Sequence, residues 1–82
     1  MSNELSPGWE ASTQDATRRV FEEMAFYSPD KQVHLKHFQG HFGHIPLEKA
    51  LRGELQIELK NGMGMVFYPD VEAMIRAGWV VD

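Results

Sequence analysis

The sequence predicts a single small α+β domain in which three or four short helices pack on one antiparallel β-hairpin. Apolar and polar residues alternate over residues 55–59, as in a strand with one buried face. Asn61-Gly62 follows, and this pair favours a tight hairpin turn because both central residues must adopt positive φ. An apolar run over residues 63–68 supplies the returning strand, and helical spacing predominates in the residues before and after the hairpin.

The length of 82 residues fits one domain. Residues 1–11 have little periodicity and are predicted to form a flexible tail, with Trp9 as its anchor. Residues 12–82 form the domain. The chain contains no cysteine, so neither a disulfide nor a thiolate zinc site stabilises this modest core. Association into a homodimer is therefore predicted as one source of stability.

A first helix is predicted to begin at Ser12 or Thr13, either of which can cap it. It ends before Pro29, where the chain has two interpretations. Val33 and Leu35 alternate as in a strand. The spacing of Leu35, Phe38, Phe42 and Ile45 instead fits a helix, and we favour a short helix over residues 30–39.

Pro46 opens a third short helix that Gly53 closes, and Pro69 opens a last one that Gly78 closes. Residues 79–81 are suited to a short terminal strand. The resulting order of three helices, a hairpin and a helix resembles that of a winged helix, with residues 54–68 as the wing. This resemblance rests on element order alone.

The winged-helix resemblance implies an alternative function as a DNA-binding transcriptional regulator. Its third helix would enter the major groove and its wing would approach phosphates. The basic residues in these places are Lys49, Arg52 and Lys60. The net charge of −4 opposes non-specific binding to nucleic acid, so this alternative ranks below protein contact.

The second strand of the hairpin carries more apolar side chains than one buried face requires. A two-residue loop places three of them opposite polar residues of the first strand, and a four-residue loop keeps the same facing. A three-residue loop with a bulge would reverse it. A helix of the same chain or a protein partner must cover this surface. The predicted protein-binding residues are Met63, Met65 and Phe67.

Four histidines lie close together in the sequence, at spacings that share one face of a continuous helix. Neutral imidazoles at such spacings can chelate zinc or nickel, although the glycines at 40 and 43 interrupt the helix. A role in pH sensing is a further alternative. The candidate metal ligands are His34, His37, His41 and His44.

The sequence lacks a nucleophile elbow, a phosphate-binding glycine loop and the HExxH motif, which predicts a protein that is not an enzyme. It contains no apolar run long enough to span a membrane and no signal-peptide pattern, so a cytoplasmic location is expected. We predict a small regulatory or inhibitor protein that acts by protein contact. Its size suggests that a phage or mobile element encodes it.

Overall fold

Five strands in one antiparallel sheet, with three helices beside it, make up the part of the chain described by the computed structural model, residues 8–60, 62 and 64–82. The strands are Gln32–His37 (β1), Phe42–Pro46 (β2), Leu55–Leu59 (β3), Met65–Tyr68 (β4) and Trp79–Val81 (β5). The helices are Ala11–Glu23 (α1), Leu47–Leu51 (α2) and Val71–Arg76 (α3). The strand order is β4-β3-β2-β1-β5. The predicted α+β class is confirmed.

The helix predicted over residues 30–39 is wrong, because this segment forms β1 and the turn that follows it. Val33 and Leu35 are buried on one side of the strand, which pairs with β2 on one edge and β5 on the other. Gly40 turns the chain between β1 and β2 at φ +95°, a conformation that side chains disfavour. The sheet is thus larger than one hairpin, and the winged-helix element order is not observed.

The predicted pairing of the β3–β4 hairpin is confirmed. Ile57 lies opposite Val66, and Glu58 lies opposite Met65. This pairing has the facing predicted for a two-residue turn, and it excludes the reversed facing of a bulged three-residue loop. The hydrogen bonds are not those of a two-residue turn, because the N–H of Lys60 donates to the carbonyl oxygen of Phe42 in β2 rather than across the hairpin. Two residues near the turn, Asn61 and Met63, lie outside the described residues.

One face of the sheet, which we call the inner face, forms the core with the helices. Apolar side chains of β1, β2, β3 and β5 pack there with Ala50 of α2 and Met74 of α3. Gly43 also lies on this face, where a Cβ atom would approach Cγ2 of Ile57 to 2.6 Å. The absence of a side chain at Gly43 therefore lets β2 and β3 pack closely under the core.

The amino-terminal part of the domain is tied to the segment between α3 and β5. The indole N–H of Trp9 donates to the carbonyl oxygen of Gly78 at 2.8 Å, as expected of an anchor. Residues 1–7 of the predicted tail lie outside the described residues, and α1 begins at Ala11. Among the helices that the structure describes, none combines the length and apolar character that a membrane crossing needs.

Candidate functional site

The face of the sheet opposite the core, which we call the outer face, carries the largest exposed apolar side chains of the strands. Phe42 is 48% exposed, Met65 is 58% exposed and Phe67 is 66% exposed. Strand alternation and the pairing registers define the face. Its side chains are Gln32, His34, Lys36, Phe42, His44, Pro46, Gln56, Glu58, Met65, Phe67 and the fully buried Val80.

Two of the three predicted contact residues, Met65 and Phe67, lie next to each other on the outer face of β4. The third, Met63, lies outside the described residues. The side-chain amide of Gln56 donates to Sδ of Met65 at 2.8 Å, so a polar neighbour borders the thioether. Both apolar side chains keep more than half of their surface exposed, so the described helices do not cover them. The surplus apolar surface that the sequence predicts is therefore present at these positions.

The backbone of β4 is open on one side because β4 is an edge strand. The N–H of Leu59 donates to the carbonyl oxygen of Gly64 at 2.9 Å, and this bond sets the alternation of the β3–β4 ladder. Even-numbered residues of β4 therefore direct their N–H and C=O groups to β3, and Met65 and Phe67 direct theirs away from the sheet. Within the described residues, no hydrogen bond of a turn, loop or cap uses these outward groups.

The opposite edge of the sheet is closed. The N–H of Val81 in β5 points outward and donates to Oγ1 of Thr17 in α1 at 3.1 Å. Helix α1 therefore occupies the β5 edge, where it supplies the missing hydrogen-bond partner. The contrast places the accessible strand edge at β4, beside the exposed side chains of Met65 and Phe67.

A row of titratable side chains crosses the outer face and ends beside Met65. His34 lies opposite His44, with ring centroids 6.4 Å apart, and His44 lies opposite Glu58. Nε2 of His44 lies 3.2 Å from Oε1 of Glu58, and Nε2 of His34 lies 2.6 Å from Oδ2 of Asp30. The hydrogen bond from His34 lowers the pKa of the Asp30 carboxyl. These histidine–carboxylate contacts form a polar border along one side of the apolar residues.

The other two histidines lie on the inner face and flank the turn of the β1–β2 hairpin. The rings of His37 and His41 are 5.5 Å apart. Nε2 of His37 lies 2.7 Å from the carbonyl oxygen of Ala77, and Nδ1 accepts the N–H of Gln39, so both ring nitrogens have partners. A cavity of about 290 Å³ adjoins this pair and is lined by His37, Gln39, His41, Leu59, Val66, Tyr68 and Trp79.

The four histidines therefore do not share one face, as the predicted helix required. Because His34 and His44 are on the outer face and His37 and His41 on the inner face, the sheet separates the two pairs. In the described part of the chain, no three His, Asp or Glu residues are grouped so that they could hold a metal ion. Zinc or nickel binding remains a prediction for each pair separately.

Two of the three basic residues of the DNA-binding alternative, Lys49 and Arg52, contact polar side chains of the same chain. Nζ of Lys49 donates to Oε1 of Gln56 at 3.2 Å. Nε of Arg52 donates to Glu54 at 3.1 Å, and this bond raises the pKa of Arg52. Lys60 directly follows β3, at the turn end of the β3–β4 hairpin. Helix α2, which would be the recognition helix, has only five residues.

Comparison of this chain with protein-family models, curated proteins and solved structures gives no match. The functional conclusion therefore rests on the geometry of the chain itself. Sequence reasoning missed Phe42 and the outward backbone of β4 as parts of the exposed surface. The alternation of Val33 and Leu35 was the signal for the missing strands, since a hairpin at Gly40 places Phe42 on the outer face.

Proposed function

We propose that this protein is a non-enzymatic regulatory or inhibitor protein that binds another protein through the apolar part of its outer face. The observation that carries the proposal is the position of Met65 and Phe67, which are exposed side by side on an edge strand. Exposed apolar side chains at such a position are a hallmark of contact surfaces. The flexible thioether of Met65 and the aromatic ring of Phe67 suit an adaptable interface.

The partner that fits this surface is a protein with an apolar patch of its own. Phe42 lies two strands away from Met65 on the same face and extends the surface across the sheet. The row of His34, His44 and Glu58 forms a polar border on the β3 side of Met65. An apolar centre with a polar border is the usual anatomy of a protein interface.

The proposal is tested by site-specific photo-crosslinking in extracts of the source cell. A photoreactive phenylalanine analogue at position 67 is expected to capture a discrete partner protein. The same analogue at Tyr27, which is 90% exposed but lies outside the sheet, serves as the matched control and should not capture that protein.

Variants then connect capture to the outer face. Met65→Ser with Phe67→Ser is expected to abolish binding of the captured protein in a purified system, because the central apolar contacts of an interface carry most of its affinity. Tyr27→Ser should leave binding unchanged. Equal binding by both variants would refute the proposed surface.

A further inference from the structure

The open edge of β4 is short because a proline closes it. The outward positions of this edge are the odd-numbered ones, so Pro69 is the next outward residue after Met65 and Phe67. Proline has no N–H and cannot donate. From Gly64 to Pro69, the edge therefore offers the N–H groups of Met65 and Phe67 and no other outward donor.

We propose that β4 of a second copy of this chain occupies the edge, paired antiparallel about a two-fold axis that passes between the two Val66 residues. This proposal rests on the proposed function, since it names a further occupant beside the same surface. Met65 of each copy lies opposite Phe67 of the second copy, and each of these pairs exchanges both of its hydrogen bonds. The two five-stranded sheets become one continuous sheet.

The length of the edge favours a second copy over a longer extended peptide. A longer added strand would place a carbonyl oxygen beyond Phe67 with no N–H to donate to it, because the next outward residue is Pro69. The β4 strand of a second copy offers the same two N–H donors and is followed by the same proline. At Met65 and Phe67, the outward N–H and C=O groups of the two edges therefore satisfy each other, as in an isologous interface.

The side chains of β4 are also self-complementary. The pairing places the thioether of Met65 beside the ring of Phe67 of the second copy on the outer face, and methionine–aromatic contacts are favourable. On the inner face, Val66 lies opposite Val66 of the second copy. Since Val66 already lies opposite Ile57 in the hairpin, this contact extends an existing apolar row.

Electrostatic repulsion is weak at this edge, although the chain has a net charge of −4. All four residues of β4 are uncharged. The nearest acidic side chain of the outer face, Glu58, belongs to β3. At least three strand spacings, about 14 Å, separate Glu58 from its counterpart in the second copy. This distance exceeds the screening length of about 8 Å at physiological ionic strength.

The expected dimer is weak and depends on concentration. Pairing of one short strand per copy buries less than the roughly 1,000 Å² of a stable interface. Its consequence for the proposed function is an enlarged contact surface. Met65 and Phe67 of both copies become neighbours on one continuous outer face, so the apolar patch of each copy joins that of the other.

The experiment combines sedimentation equilibrium with amide hydrogen exchange on the full chain at several concentrations. The apparent mass should rise from 9.4 kDa toward twice that value. Exchange at Met65 and Phe67 should slow about tenfold or more as concentration rises, while Val66 and Tyr68 stay protected throughout. A monomer at all concentrations overturns the proposal. Protection of Met65 and Phe67 that does not depend on concentration also overturns it, because the chain itself then covers the edge.

A pair of variants at position 67 isolates the backbone contribution. Phe67→Pro removes an outward N–H and leaves the ladder to β3 intact, and an edge strand tolerates such a proline. Phe67→Ala removes the ring but keeps the N–H. Folding of each variant is checked by circular dichroism. We expect Phe67→Pro to be monomeric and Phe67→Ala to retain weak self-association. Equal association by the two variants overturns the edge pairing.

A charge exchange tests the register and does not depend on a proline. Met65→Lys with Phe67→Lys places like charges opposite each other across the two-fold axis and should give a monomer. Met65→Lys with Phe67→Glu places opposite charges there and should restore a dimer that weakens with salt. If the two double variants associate equally, the register is wrong.

The two proposals fail separately. Capture of a distinct protein at position 67 by a chain that stays monomeric overturns the second-copy pairing and supports the proposed function. A dimer with the expected exchange pattern that captures only a second copy of this chain supports the pairing and overturns binding of another protein.

Discussion

Thr17 of α1 closes one edge of the sheet by accepting a hydrogen bond from the backbone N–H of Val81. The distance from this nitrogen to Oγ1 is 3.1 Å, and Thr17 is fully buried. The same hydroxyl donates to the carbonyl oxygen of Thr13 one turn earlier, so it acts both as a hydrogen-bond donor and as an acceptor. The hydroxyl thus links α1 to β5 without a strand partner.

Replacing Thr17 by valine is expected to destabilise the domain by about 1–3 kcal/mol, because the partly buried N–H of Val81 loses its acceptor while the side-chain volume is retained. Urea unfolding measures the change. Thr17→Ser is the matched control: it keeps the hydroxyl and removes only a methyl group, so it should cost less. A valine variant as stable as the serine variant would show that this hydrogen bond does not stabilise the β5 edge.

The sequence predicted the parts of the fold that depend on neighbours in the chain. The hairpin register followed from alternation, and α3 followed from the proline and glycine that flank it. The structure adds its cap at Asp70, whose side chain accepts the N–H of Ala73 at 2.8 Å. Strand β1 was missed although its partner β2 follows it directly, because the spacing of Leu35, Phe38, Phe42 and Ile45 also fits a helix. Its second partner, β5, lies more than forty residues away, so local spacing does not show that pairing.

The candidate site was predicted in its residues but not in its backbone. The surplus of apolar side chains at Met65 and Phe67 was visible as a pattern. The open backbone edge of β4 was not visible in the sequence, because it depends on which strand lies at the edge of the sheet. The spacing of the histidines also did not predict that they lie on two faces of the sheet, because this depends on the hairpin turn at Gly40.

Gly43→Ala is expected to destabilise the domain by about 1–3 kcal/mol, as overpacking of a close contact does. The added methyl group would lie 2.6 Å from Cγ2 of Ile57 and 3.0 Å from the carbonyl oxygen of Glu58, and backbone cannot move aside as a flexible side chain can. Thermal unfolding measures the change. Gly8→Ala is the control, because its nearest contact would be 4.0 Å away. Equal stability of the two variants would contradict close packing at Gly43.

Glu72→Gln is expected to weaken the domain at neutral pH but not in acid. Nε of Arg18 lies 2.5 Å from Oε2 of Glu72, and this ion pair joins α1 to α3. The hydrogen bond from Arg18 lowers the pKa of Glu72 below its ordinary value of 4.5. A lowered folded-state pKa means that the contribution is complete above 4.5 and disappears as the pH falls through the folded-state value.

Urea unfolding of wild type and Glu72→Gln is measured from neutral pH downward. The difference between their unfolding midpoints should fall toward zero below pH 4.5. Glu23→Gln is the control. Glu23 is an exposed acid of α1 that forms no ion pair within the described residues. A gap of constant size at every pH would show that the glutamine variant acts through packing rather than through charge.

Zinc is expected to act on the two histidine pairs independently, because the sheet lies between them. Each pair supplies two imidazoles, whereas a structural zinc site has four protein ligands, so binding should not saturate in the micromolar range. The measurement is a zinc titration followed by histidine NMR signals. His41→Ala should leave the response of His34 and His44 unchanged, and His44→Ala should reduce the response of His34. A single tight transition shared by all four rings would contradict the separation of the pairs. It would require rearrangement of the hairpin at Gly40.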